Sequence, residues 1–193
     1  TCGLCSLIRY RHLSEYSKAE IGIALECIKL FNAVSVREET ELDFVRLFET
    51  NAVHVLDPTM LLNKNDYLKL IEDEDRSCSQ DILLTYILDR TPEKSIIIEK
   101  ISNFLHLSPC ENGPIKTFSN IVEITLQNVF ILDIQRLAGF RDAQFVVTDS
   151  FHGTVFSILF NKPFVAILNP ERGSSRFVSL LSMLHLEHRM ISM

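Results

Sequence analysis

From Phe145 to Leu168 the chain passes from an apolar run through a polar turn into a helical spacing and back to an apolar run, and this order constrains the fold more than any other feature. Phe145 to Val147 predicts a short strand. Thr148-Asp-Ser-Phe-His-Gly153 follows as a turn, after which Val155, Phe156, Leu159 and Phe160 recur at a helical period. Phe164 to Leu168 predicts the next strand. His152 therefore falls at a strand-to-helix junction. The first turn of a helix presents backbone N–H groups and a partial positive charge, which suits such a corner to an anion.

The same alternation runs along the rest of the chain. Ile21 to Phe31 predicts a helix, Ala33 to Val36 a short strand, and Glu38 to Phe48 a helix with acidic residues in its first turn. Val53 to Leu56 predicts a strand closed by Asp57-Pro58, and Asn65 to Ile71 a short helix. Ile82 to Leu88 reads as a fully apolar strand, and Pro92 to Leu105 as a helix with proline near its beginning. Ser108 to Phe118 is irregular, with room for a short strand. Ile121 to Leu137 and Arg176 to Leu184 predict further helices. Strands and helices in alternation, with near-continuous apolar strands, predict an α/β fold: a Rossmann-like parallel sheet with helices on both faces. Ligands of such sheets collect beyond the carboxyl ends of the strands. His152, Arg37 and the loop from Asn169 to Arg176 each follow a strand directly, so all are expected at one edge.

Composition narrows the class. The chain has 193 residues, 47% of them hydrophobic, enough for a full core and a length suited to one domain or one and a part. A formal charge of −6 and the lack of a basic run argue against a nucleic-acid surface. No apolar stretch reaches the length of a membrane span. The chain begins at Thr1 without the basic and apolar regions of a signal peptide, as an internal fragment would. Five cysteines show no disulfide-framework spacing, which favours a reducing compartment. Cys2-Gly-Leu-Cys5 has no second cysteine pair to complete a zinc site with His185 and His188, and reads as a buried strand. Glu72-Asp-Glu-Asp75 reads as a solvated turn.

The chemistry gathers at few residues. His152 lies beside a helix start, and histidine is the residue type suited to proton transfer near neutrality. Arg172 and Arg176 flank Gly173-Ser-Ser175, where small residues let backbone N–H groups approach an anion. The plainer reading of that loop is a solvated turn, with Arg176 an early helix residue. Arg37 could equally pair with Glu38, Glu39 or Glu41 on a surface. Asp149, Ser150 and His152 are too close along an extended segment to form a nucleophile–base–orienter chain. Asp149 is instead expected to cap the helix or to orient His152. Glycine-rich nucleotide motifs are absent from the sequence, and no residue cluster calls for a metal.

The segment Thr148-Asp-Ser-Phe-His-Gly-Thr-Val-Phe-Ser-Ile-Leu-Phe-Asn-Lys-Pro-Phe164, with Ser35-Val-Arg-Glu38, Val55-Leu-Asp-Pro-Thr59 and the stretch from Asn169 to Phe177, resembles the polysaccharide pyruvyl transferase family. The likeness extends from about Ala33 to the C-terminus. It implies transfer of an enolpyruvyl unit from phosphoenolpyruvate to two hydroxyls of a saccharide acceptor, giving a pyruvate ketal in bacterial exopolysaccharide biosynthesis. The acceptor in such a pathway can be lipid-linked, and the location implied is cytoplasmic or peripheral at the inner membrane face. The implied fold is similar to the two-domain GT-B arrangement of many glycosyltransferases, of which this chain would supply the C-terminal half. Residues 1–32 would then be a remnant of an N-terminal domain or an interdomain segment, and 33–193 the donor-binding domain. His152 is implied to be the general acid or base. Arg37, Ser150, Gly153, Thr154, Asn169, Arg172 and Arg176 are implied to bind the donor, with no cofactor and no metal.

One position departs from the family. Some members carry arginine two residues before the motif histidine, whereas this chain has Ser150, whose hydroxyl cannot replace a guanidinium charge. Arg172 or Arg176 would then supply it. Two other readings stand beside pyruvyl transfer. One is a glycosyltransferase of the same fold that uses a nucleotide sugar. The other is a fragment or degenerate relative that binds an anionic glycan or a partner protein without turnover.

Overall fold

The computed structural model of the chain describes residues 17–46, 49–72, 81–111, 136–168 and 174–192. Its elements begin with α1 (Lys18–Ile28), β1 (Val34–Val36), α2 (Thr40–Arg46), β2 (Ala52–His54), α3 (Lys64–Leu70), β3 (Ile82–Tyr86), α4 (Pro92–Leu105) and β4 (Ser108–Glu111). A helical stretch over 136–142, α5, is followed by β5 (Phe145–Thr148), α6 (Phe151–Leu159), β6 (Phe164–Leu168), α7 (Ser175–Met183) and β7 (Met190–Ser192). The chain divides into two compact units, Thr1–Asp57 with Gly173–His185 and Pro58–Arg172 with Leu186–Met193.

The first unit contains a parallel pair, β1 and β2, linked through α2. Its core joins Ile28 of α1, Val36 of β1 and Val45 of α2, with Ile21, Leu25, Val34, Leu42 and Ala52 packed around them. Ser17 starts α1 with a reciprocal cap: its Oγ accepts the Glu20 amide at 3.3 Å while Glu20 accepts the Ser17 amide at 2.8 Å. The helix α7 belongs to this unit, and its Phe177, Leu180 and Leu181 are buried.

The second unit is built on five strands in the order β4-β3-β5-β6-β7, every neighbouring pair parallel. Adjacent residues of a strand face opposite sides of a sheet. Leu83 and Leu84, Val146 and Val147, and Ala166 and Ile167 are all fully buried, so both faces of the three central strands are covered. One cover is α4, whose Ile97, Ile98, Ile101 and Leu105 pack on Leu83, Ile87, Leu107, Val147 and Ile167. On the opposite face Tyr86, Phe140, Phe156 and Tyr67 form a chain of aromatic contacts with centroid separations of 6.0, 5.7 and 5.4 Å. The protein is thus an α/β fold with a parallel five-stranded sheet flanked by helices, consistent with the Rossmann-like expectation.

Three differences from the sequence reading have physical causes. A single sheet was expected, but among the described residues β1 and β2 pair with each other and with no other strand, and Arg37 and His152 follow strands of two different sheets. The second is β7, which extends the five-stranded sheet from three residues too short to show a period. Lastly, α6 starts at Phe151, ahead of its apolar spacing, because Ser150 caps it. The helix expected over Ile121 to Leu137 lies almost wholly outside the described residues.

Candidate functional site

The corner between β5 and α6 is assembled from consecutive polar residues, each with a defined partner. Thr148 Oγ1 donates to the Tyr86 carbonyl at 2.7 Å and accepts the Ser150 amide at 3.0 Å. Ser150, with extended backbone (φ −101, ψ 133), is the N-cap of α6, and its Oγ accepts the Gly153 amide at 3.4 Å. The Thr154 amide and hydroxyl both donate to the Ser150 carbonyl, at 3.0 and 3.2 Å. Ser150, Gly153 and Thr154 are all buried. A Cβ on Gly153 would lie 2.3 Å from Thr148 Oγ1 and 3.0 Å from Tyr86 Cδ1, so only glycine lets α6 approach the sheet this closely.

His152 stands out from this frame. It is exposed, in the first turn of α6 rather than on the loop before it, and its ring meets the Phe151 ring edge-on at 5.6 Å. The capping expected of Asp149 falls to Ser150. The Asp149 carboxylate turns toward the segment after β3, accepting the Leu88 amide at 2.6 Å, the Asp89 amide at 3.1 Å and Lys94 Nζ at 2.6 Å. Lys94 and Asp149 side chains are 3% and 1% exposed, a buried ion pair. Lys94 Nζ also donates to the Asp89 carbonyl at 2.8 Å.

The first unit carries two arginines at the carboxyl ends of its strands and at the start of α7. Arg37 follows β1 and donates from Nη1 to Asp57 Oδ2 at 2.5 Å, with Asp57 almost wholly buried. Asp57 lies 20 residues away along the chain and is not among the acidic neighbours that the sequence suggested as partners. The Arg37 carbonyl lies 3.2 Å from His54 Nε2. Arg176, an early residue of α7, points Nε at Glu38 Oε1 at 3.5 Å, and Ser175 Oγ donates to the other oxygen of Glu38. The Glu39 amide donates to Ser179 Oγ at 3.0 Å. Burial, then the neighbouring Glu38 carboxylate, pushes the Glu41 carboxyl above its usual value of 4.5.

Arg37 and Arg176 therefore belong to the first unit, and Ser150, His152, Gly153 and Thr154 to the second. Asn169 and Arg172 lie outside the described residues, as do Cys2 and Cys5. Asp57 and Lys94 are polar partners that sequence reasoning missed, and Glu38, offered there to Arg37, is held by Arg176 and Ser175. Asp57 carried a weak signal, a carboxylate in a strand-end turn, whereas Lys94 carried none. Among the described residues no group of three or more His, Cys, Asp or Glu side chains is placed to hold a metal ion. No helix among them is long and apolar enough to cross a membrane.

Residues 14–171 match the sequence profile of the family described as polysaccharide pyruvyl transferase. The match covers most of the chain, including β1 through β6 and the whole of α6 with His152, and the chain belongs to that family. The family's name specifies transfer of a pyruvyl group to a polysaccharide, hence a saccharide acceptor. No curated protein and no solved structure matches the chain.

Proposed function

We propose that the protein transfers pyruvate from phosphoenolpyruvate to two hydroxyls of a saccharide, with His152 as the acid–base group. The observation that carries this reading is an exposed histidine in the first turn of a helix whose other opening residues are buried, within the family match. The reaction needs a proton delivered to the methylene carbon of the donor as a first hydroxyl attacks the adjacent carbon and gives up its own proton. The C–O bond to phosphate then breaks with its electron pair on the phosphate, the second hydroxyl attacks the same carbon, and its proton balances the one that inorganic phosphate takes up, completing the ketal. Imidazole suits both proton steps, because it can carry or accept a proton near neutral pH.

The donor is a phosphate and a carboxylate, and guanidinium groups bind both in bidentate geometry. Arg37, Asn169, Arg172 and Arg176 are assigned this role, and Ser150, Gly153 and Thr154 at the helix start are assigned to the donor as well. Arg37 and Arg176 already face Asp57 and Glu38, but a guanidinium has five N–H donors and can hold a carboxylate and a ligand anion together. A cytoplasmic location and an exopolysaccharide acceptor complete the reading.

Calorimetric titration with phosphoenolpyruvate tests it. Saturable binding is expected, weakened at least tenfold in Arg37→Ala/Arg176→Ala. Binding of a nucleotide diphosphate sugar in place of phosphoenolpyruvate would overturn the assignment in favour of a glycosyltransferase.

A further inference from the structure

Lys94 takes no part in the chemistry just described, yet it is the most deeply buried cation of the described residues. It sits in the first turn of α4, where the positive end of the helix dipole disfavours a cation. A buried ammonium there needs strong compensation, and the structure supplies it from Asp149 and the Asp89 carbonyl, at 2.6 and 2.8 Å. Such a pair contributes little net stability compared with apolar residues of the same size, so its value lies in what it fixes.

What it fixes is the run leading into His152. Asp149 directly precedes the cap residue Ser150, and its two oxygens are held by Lys94 and by the Leu88 and Asp89 amides. Thr148, the residue before it, is tied to the Tyr86 carbonyl at 2.7 Å. Two consecutive residues are thus clamped to the carboxyl end of β3 and the segment after it. Tyr86 and Thr148 are also register partners in the sheet, so the clamp starts where the regular ladder stops. The backbone of Ser150 and the first turn of α6 then leave from a point fixed in direction, and the His152 side chain inherits that direction.

We propose that Lys94 and Asp149 are positioning residues for His152, their buried ion pair holding the β5–α6 corner so that the imidazole meets substrate in one orientation. The proposal rests on the acid–base role given to His152 above. It differs from a merely structural role in one respect: loss of the pair must loosen the corner more than the sheet.

Hydrogen exchange on the full chain reads this directly, without substrate. In Lys94→Met the amides of Ser150, Gly153 and Thr154 should exchange at least tenfold faster, beyond any change at Leu84, Val146 and Val147. Lys94→Met/Asp149→Asn, which removes both charges, should show a smaller excess at the same three amides and covers the case in which the single variant fails to fold. In turnover, either variant should lose at least tenfold in rate while KM for phosphoenolpyruvate stays within about twofold. A uniform rise in exchange, an unchanged corner, or a loosened corner with full turnover would each overturn the proposal. A wild-type chain without turnover would contradict the transferase reading alone and leave the exchange result to decide the clamp.

Discussion

Asp57 holds the guanidinium of Arg37 across 20 residues of sequence, Nη1 to Oδ2 at 2.5 Å, with the carboxylate 2% exposed and the arginine 22% exposed. That asymmetry sets the effect of breaking the pair. Removing one partner of a buried pair costs about 3–5 kcal/mol, mostly through the charge left behind. Arg37→Ala takes the cation away from the more buried group and is expected near the lower end of that range. Asp57→Ala leaves a guanidinium in contact with water and should cost roughly half as much. Urea unfolding of both variants measures the difference, and equal losses would contradict the burial argument.

Gly153 lies where a side chain has no room. With a Cβ at 2.3 Å from Thr148 Oγ1 and 3.1 Å from Thr148 Cβ, Gly153→Ala must displace α6 from the sheet. The cost is expected at or above the roughly 1–3 kcal/mol typical of overpacking. Thr148→Ala removes the nearest atom, so Gly153→Ala should cost less in a Thr148→Ala background than in the wild type. A double-mutant cycle on thermal stability reads that coupling.

Glu41 gives the first unit a pH dependence. Burial and the Glu38 carboxylate raise its folded pKa above 4.5, so its charged form is the disfavoured one. The contribution of protonated Glu41 to stability is present in full below the unfolded value and is lost as pH rises through the folded value. Glu41→Gln cannot ionise and should therefore match the wild type at acidic pH and exceed it at neutral pH. Paired denaturation curves across that window test the sign; a wild type that gains on the variant with rising pH would refute it.

Much of the fold was legible because it rests on local pattern. The unbroken apolar run at Ile82 and the proline at the first position of α4 marked β3 and the next helix directly. The short strand allowed for after Ser108 is present as β4. What sequence hid was decided by partners far away along the chain. Whether β1 joins the sheet of β3 depends on strand pairing, and β7 gains its identity only by lying against β6. The site follows the same division. The strand-to-helix corner that carries His152 was visible, but Lys94, 55 residues from Asp149, looks like any polar residue in a helix until the fold buries it.

On the function proposed, His152 moves the proton in pyruvyl transfer. The most direct test of that role is release of inorganic phosphate from phosphoenolpyruvate over a panel of saccharides, compared between wild type and His152→Ala, with donor affinity measured alongside. Acceptor-dependent phosphate release is expected, with a ketal formed on the saccharide. His152→Ala should slow it by about 10²–10⁴, the usual worth of a general acid–base group, with phosphoenolpyruvate affinity kept within a few-fold. Equal rates in the two proteins, or a rate lost only in step with donor binding, would contradict that role.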